Sequence, residues 1–126
     1  MNIHLLITAL IGLSSVLLGS FAEHSLQESL SEELVRKFMV AVRYQQNYSI
    51  ILLVLSLLNY FNLEAKLIKK FNLAFWIFLF AVVTFSSSIY LFVLTDVKAV
   101  SYIAPIGGIS IMLAWLYLAF IAIKKD

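Results

Sequence analysis

Apolar residues are concentrated in four long stretches that short polar segments separate. The stretches cover about residues 3–22, 40–61, 72–95 and 100–123. A helix needs about 20 mostly apolar residues to cross about 30 Å of hydrocarbon, and each stretch has that length. None of the stretches alternates polar and apolar positions, which argues against a membrane β-barrel. The pattern therefore predicts an all-α integral membrane bundle of four transmembrane helices.

The links between the stretches predict how the helices are ordered. Residues 62–71 and 96–99 form two short links, and helices joined by short links are antiparallel neighbours. We therefore expect one up-down membrane domain over residues 1–126. A bent start is expected for the fourth span, because the helix after Gly108 would measure only about 22 Å. Pro105, Gly107 and Gly108 would then lie at membrane depth or close beneath the interface.

The longer link of residues 23–39 has a helical pattern of its own. Its apolar residues share one helical face: Leu34, Val35, Phe38, Met39 and Val42. Ser31 is placed to cap a helix with an acidic first turn, and Glu33 lies four residues before Lys37. This predicts a short amphipathic helix at the membrane surface that leads into the second span. The alternative is a solvated connector.

Composition narrows the class of protein further. Hydrophobic residues make up 63% of the 126 residues and charged residues 13%, whereas soluble domains have about 45–50% and about 25%. These values argue against a soluble enzyme and a disordered chain. The net charge of +2 is too small for a nucleic-acid binder. There is no cysteine, which excludes disulfides and cysteine catalysis. Membrane lipids are the expected surroundings.

The distribution of cations predicts the orientation. With the N-terminus inside, the inner side holds Lys66, Lys69, Lys70, Lys124 and Lys125, and the outer side holds Arg36, Lys37 and Lys98. Cytoplasmic loops carry the excess of lysine and arginine. We therefore expect both termini to be cytoplasmic, in a bacterial inner membrane. Residues 20–22 fit a signal-peptide cleavage site, but the apolar run before them is longer than usual, so we interpret it as a retained span.

Small residues predict how the helices pack. The first span has Thr8, Gly12, Ser15 and Gly19 on one face, and the fourth has Gly107, Ser110 and Ala114. Such faces let two backbones approach closely. The two faces are natural partners for each other, within one chain or between two copies. A homo-oligomer or a partner membrane protein is therefore possible.

Polar residues gather on one side of the predicted bundle. The candidate binding cluster consists of Glu23, His24, Arg43, Gln45, Ser86, Ser88, Pro105, Gly107 and Gly108. Ionisable residues in a membrane usually face the bundle interior or a wet cavity. Arg43 needs a partner, of which Glu23 is the first choice and Asp96 the second. The cluster is interpreted as an interfacial salt bridge, a cavity for a small ligand, lipid headgroup or ion, or a proton pathway.

Catalysis is the least supported interpretation. Ser86 to Ser88 with His24 and Glu23 offer the residue types of a hydrolase, but hydroxyls in membrane helices commonly bond to their own backbone. His4 is the only other histidine, which leaves no metal-ligand spacing. We expect no enzyme, no metal and no cofactor.

Four motifs carry a family resemblance. The motifs are GSFAEHSL at residues 19–26, AVRYQ at 41–45, FSSSIYL at 85–91 and PIGG at 105–108. In this order they resemble the GAFGAHAL, AVRYQ, FSGSLYL and PLGG motifs of the family named domain of unknown function 423, the YgdD-like small inner-membrane proteins. The resemblance implies a four-helix bacterial inner-membrane protein without an established activity.

The chain also departs from the family pattern. Glu23 stands where the family usually has a small residue, and Tyr48 where it often has histidine. Carbonyls near Pro105 are then an alternative partner for Arg43. Two functions follow from the residues: a structural or accessory protein whose polar cluster locks the bundle or docks a partner helix, and a small oligomeric carrier or channel.

Overall fold

The computed structural model describes residues 1–124. Lys125, which belongs to the predicted inner side, lies outside the described residues. The elements in chain order are α1 (Ile3–Phe21), a π-helical segment (Ala22–Leu26), α2 (Gln27–Ser29), α3 (Glu32–Leu57), a 3-10 turn (Leu58–Tyr60), α4 (Ala65–Thr95), α5 (Lys98–Ser101) and α6 (Ala104–Ile123). The described part of the chain is all-helical, as the sequence predicts.

The four long helices pack as antiparallel neighbours. Helix α1 packs on α3, α3 on α4 and α4 on α6. The Asn2 side-chain amide at the start of α1 donates to the Ser56 carbonyl near the end of α3, at 3.1 Å. At the other end of α1, Gly19 lies beside Val42 in the first half of α3. This register agrees with the predicted up-down order.

Helix α3 differs from its predicted form. Its N-cap is as predicted: the Ser31 side chain accepts from the Leu34 backbone N–H, and Lys37 pairs with Glu33 at 3.6 Å. The predicted separation of a surface helix from the second span is wrong, because α3 is one continuous helix of 26 residues. Neither glycine nor proline occurs in it, so nothing breaks its hydrogen bonding.

The apolar character of α3 is also weaker than predicted. Within residues 1–124, three helical stretches are long and apolar enough to cross a membrane: Ile3–Ser29, Ala65–Thr95 and Lys98–Ile123. Helix α3 is not among them, because the run RYQQNYS at residues 43–49 lies within it. Three of the four predicted spans are thus confirmed as helices long and apolar enough to cross a membrane.

Two predicted boundaries change in the structure. Helix α4 already begins at Ala65, so most of the predicted loop at residues 62–71 is helical and Lys66 lies in its first turn. The fourth span begins with the short α5, and a turn at Tyr102 and Ile103 separates it from α6. The predicted interruption thus lies at Tyr102 and Ile103, before the Pro105–Gly108 stretch, which is itself helical. Pro105 lies in the first turn of α6, where its missing N–H costs nothing.

The core contains two apolar clusters, one toward each end of the bundle. Phe75, Phe78 and Leu52 centre the cluster near the start of α4. Phe38 and Val93 centre the other, together with Ala22 of the π-helical segment. The outward side chains are largely apolar as well, which is the pattern of a protein surrounded by lipid.

Candidate functional site

Gln45 joins three helices through its side-chain amide. Its Nε2 donates to the Ile11 carbonyl of α1 at 2.9 Å and to the Ser14 hydroxyl at 2.7 Å. Its Oε1 accepts from the Tyr90 hydroxyl of α4 at 2.6 Å. Gln45 is only 6% exposed, and both amide hydrogens and the amide oxygen have partners. We call Gln45, Ser14 and Tyr90 the glutamine knot.

A cavity lies beside the glutamine knot. It has a volume of about 210 Å³ and is lined by α1 and α4 residues together with Gln45. Ser86, on its α4 wall, is buried and donates to the Ala41 carbonyl of α3 at 2.9 Å. Its hydroxyl therefore ties α4 to α3. Of the candidate cluster, the structure brings Gln45 and Ser86 to this one cavity.

Ser88 lies on a different side of α4. It is buried, and its hydroxyl donates to the Phe85 carbonyl of its own helix at 2.8 Å. It lines a groove of about 390 Å³ between α3, α4 and the start of α6. Two residues along a helix turn about 200°, which is why Ser86 and Ser88 face different neighbours.

The two glycines of the PIGG motif differ in their surroundings. A Cβ on Gly107 would lie 2.5 Å from the Phe85 backbone nitrogen and 2.7 Å from its Cα, whereas a Cβ on Gly108 would meet nothing within 4 Å. Gly107 therefore permits the close approach of α6 to α4. Pro105 is exposed and takes no part in this contact.

Glu23 and His24 lie in the π-helical segment. The wider turn buries Ala22 and Leu26 against Phe38 and leaves Glu23 and His24 exposed. Single π-turns within helices are frequent at functional sites. Neither side chain forms an ion pair or hydrogen bond in residues 1–124.

Arg43 does not have the partner that the sequence predicts. It is exposed, and in the described part of the chain its side chain has no ion pair with Glu23 or Asp96 and no bond to a carbonyl near Pro105. Gln45 and Val42 are buried on the opposite side of α3. The helical period places Arg43 on the outward face, so the predicted interfacial salt bridge is absent.

The small-residue faces do not pair with each other within the chain. Thr8, Ser15 and Gly19 are buried, and their face lies against α3, where Gly12 approaches Ser49. Gly107 and Ala114 are buried in the contact of α6 with α4. The prediction of one face on the other within one chain is wrong. Pairing between two copies stays a prediction.

Sequence reasoning left several polar contacts out of the candidate cluster. Tyr90 follows Ser86 by four residues, and this spacing on one helical face was the available signal. Ser14 gave no signal, because serine is common in membrane helices. At the other end of the bundle Asn59 donates to Asn72 at 3.0 Å. On the side facing α6, Trp115 donates to the Tyr48 hydroxyl at 2.9 Å.

The residue types of a hydrolase are not assembled. The hydroxyls of Ser86 and Ser88 donate to backbone carbonyls, while His24 is exposed in the π-helical segment. His4, at the opposite end of α1, packs its ring on Phe75 at 4.6 Å between centroids. Within residues 1–124 no group of His, Asp and Glu side chains is arranged to hold a metal ion.

Most of the chain matches a known protein family. A family described as "Protein of unknown function (DUF423)" matches residues 18–108, the part that contains the π-helical segment, Gln45, Tyr90 and Gly107. The chain belongs to this family. The DUF423 resemblance drawn from the four motifs is confirmed.

Relatives of the DUF423 chain occur in several bacteria. A UPF0382 membrane protein of Staphylococcus epidermidis is 31% identical over 124 residues, which cover 98% of both chains. UPF0382 membrane proteins are also found in Haemophilus influenzae, 28% identical over 98% of this chain and 96% of the relative, and in Bacillus subtilis, 25% identical over 98% of both chains. No solved structure matches. The chain is thus a member of a membrane protein family whose molecular function is unknown.

Proposed function

We propose that this DUF423 protein is a four-span protein of the bacterial inner membrane with a structural or accessory role, in which the glutamine knot locks α1, α3 and α4 together. The observation that carries the proposal is the complete pairing of the Gln45 amide. Transmembrane helices associate through close packing and hydrogen bonds. A buried amide whose two N–H groups and oxygen are all engaged holds a structure and offers a ligand no free donor.

The fourth crossing is supported by the register of α3. Its 26 residues extend about 39 Å. Contacts at Ser56 and at Val42 place it alongside nearly the whole of α1, which is apolar enough to span. A helix that lies alongside a spanning helix over this length crosses the same hydrocarbon. Within the polar run of α3, Gln45 is tolerated because its amide is bonded to α1 and α4.

The orientation follows from the cations near the helix ends. Lys66, Lys69 and Lys70 lie in the first turns of α4, at the same end as the start of α1 and the end of α6. Loops rich in lysine stay in the cytoplasm. We therefore infer cytoplasmic termini.

A carrier is the second candidate, and the 210 Å³ cavity beside Gln45 is the observation that favours it. A carrier would need polar groups that face this cavity and remain free to bind. Arg43 and His24 instead face outward. We also infer a non-enzymatic role, since the Ser86 and Ser88 hydroxyls are bonded to carbonyls. The structural role therefore accounts for more of the geometry.

Thiol labelling separates the two candidates, because the chain has no native cysteine. Ser14→Cys and Ser86→Cys each place a thiol on a wall of the cavity, and Val97→Cys places one at an exposed position. A small water-soluble thiosulfonate reagent is applied to the protein in vesicles that have been made permeable. We expect Val97→Cys to react and both cavity variants to stay unreacted. Fast reaction at Ser14→Cys and Ser86→Cys would show water access and favour the carrier.

A further inference from the structure

The outward face of α3 is unlike the other outward faces of the bundle. On α4 the exposed stripe consists of Leu73, Trp76, Phe80, Val83, Ser87, Leu91 and Leu94, which suits lipid tails. On α3 the corresponding stripe has Arg36, Arg43 and Asn47 in its first half and Ile50 and Val54 in its second. The first half of this face therefore needs surroundings other than hydrocarbon.

Arg43 lies well inside the bundle along the helix axis. The ring of the next residue, Tyr44, contacts Phe85 at 4.7 Å between centroids. From Phe85 to Thr95, where α4 ends, the helix rises about 15 Å. Arginine at such a depth is costly, and it persists where a polar group reaches it. Within residues 1–124 no side chain supplies that group.

The direction of α3 points the arginine side chains toward the membrane surface. Helical side chains lean toward the helix N-terminus, and α3 begins at Glu32 at the end that carries the π-helical segment. A long arginine side chain extends along apolar surface to bring its charge toward the headgroups. Arg36 lies on the same face about 10 Å nearer to that surface. Both guanidinium groups thus lean toward the same membrane surface.

An apolar groove runs beside the two arginines. Val40, between Arg36 and Arg43 on α3, forms one wall of the groove of about 390 Å³, and Ile89, Phe92 and Ala104 form others. Lys37 lies at its rim, with its ammonium 5.3 Å from the centre of the Phe92 ring. Paired cations beside an apolar groove are complementary to a molecule with an anionic head and an apolar tail.

We propose that the outward face of α3 binds an anionic phospholipid, with its phosphate held by Arg36 and Arg43 and its acyl chain along the groove beside Val40. Guanidinium groups bind phosphate oxygens through paired, charge-assisted hydrogen bonds. A second copy docked symmetrically on the same face would set the two Arg43 side chains together, about 15 Å along the helix from the carboxylates of Glu32 and Glu33, and buried cations without anions are unfavourable. The proposal assumes that the chain lies in a membrane, and it does not depend on the glutamine knot.

Lipid retention tests the site. The purified protein is reconstituted in vesicles of equal phosphatidylglycerol and phosphatidylcholine, extracted, and its bound lipids are counted by native mass spectrometry. We expect the unaltered chain to retain phosphatidylglycerol preferentially. Arg36→Gln and Arg43→Gln should each reduce that preference about fivefold, since one cation near an anionic headgroup contributes on this order. Lys98→Gln, the same loss of charge on exposed α5 at the same end, should leave it unchanged.

Three results would overturn the proposal. One is equal retention of the two lipids by the unaltered chain. Another is an equal loss of preference in Lys98→Gln and Arg43→Gln, which would mean general charge attraction. The third is crosslinking to a protein and not to lipid when a photo-crosslinker placed at Asn47 is activated in cell membranes. Circular dichroism checks that each variant is folded. The reactivity of Ser86→Cys tests the proposed structural role without involving the arginines. The lipid site and the structural role can therefore be disproved independently of each other.

Discussion

Two residues of one motif face opposite sides of helix α3. In AVRYQ, Gln45 is buried among three helices, while Arg43 faces outward. Two positions turn a helix by about 200°, so one of the pair must face out when the other faces in. The sequence shows that both residues are polar and predicts that they lie within a span. Which of them points inward depended on where α1 and α4 pack.

Gln45→Ala tests the glutamine knot at the scale of one side chain. It removes the bonds to Ile11, Ser14 and Tyr90, and we expect the free energy of unfolding to fall by about 1–2 kcal/mol. Gln46→Ala is the matched control, since Gln46 is exposed. The measurement is unfolding in mixed detergent micelles followed by circular dichroism. Equal stability of the two variants would show that the knot contributes nothing.

At the scale of elements, the contact of α4 with α6 depends on a glycine, which has no side chain to hold the two helices apart. Gly107 lets the α6 backbone lie against Phe85, and its neighbour Gly108 faces open space. The sequence presents the two glycines as equivalent. The two glycines point in directions about 100° apart on the helix, and the sequence is enough to show this. Which of the two faces α4 depends on where α4 packs, and the sequence does not show that.

Gly107→Ala and Gly108→Ala should therefore differ in stability. A Cβ at Gly107 would lie 2.5 Å from the Phe85 nitrogen, so α6 must move away, at a cost of about 1–3 kcal/mol. At Gly108 the added methyl group meets nothing, and alanine favours helix by up to about 1 kcal/mol. Unfolding midpoints in detergent measure both variants. A stable Gly107→Ala protein would contradict the close approach of the helices.

Helix α3 shows how an element is extended by its neighbours. The sequence pattern predicts a surface helix within residues 23–39 and a span from about residue 40, with the polar residues 43–49 inside that span. The structure has one helix through both, because α1 and α4 cover its buried face on either side of that run. The Ser31 cap was predictable, since it needs only local residues.

At the scale of the whole molecule, the up-down order separates two kinds of polar residue. The π-helical segment, Arg36 and Arg43 lie toward one end, and Lys66, Lys69 and Lys70 toward the other. The separation follows from connectivity alone, because antiparallel helices bring alternate ends together. It places the proposed lipid site near one surface of the membrane and the three lysines near the opposite surface.

Site-directed labelling tests this arrangement across the membrane. Asn62→Cys lies in the connection before α4, and Val97→Cys lies after α4. An impermeant maleimide applied to intact spheroplasts should label Val97→Cys and leave Asn62→Cys unlabelled until the membrane is opened. Labelling of both thiols from outside would contradict an odd number of crossings between them. Labelling of Asn62→Cys alone would reverse the orientation.

The sequence by itself determined the helical class, the family, the order of the helices and the Ser31 cap of α3, because apolar length, capping residues and short links act locally along the chain. The membership of the candidate cluster depended on the tertiary structure. Gln45 and Ser86 meet one cavity, Ser88 and Gly107 lie where α4 meets α6, and Glu23, His24, Arg43 and Pro105 face outward. Whether each of these side chains faces inward or outward was decided by which helices pack together. That packing depends on the fit between surfaces formed by residues far apart in sequence.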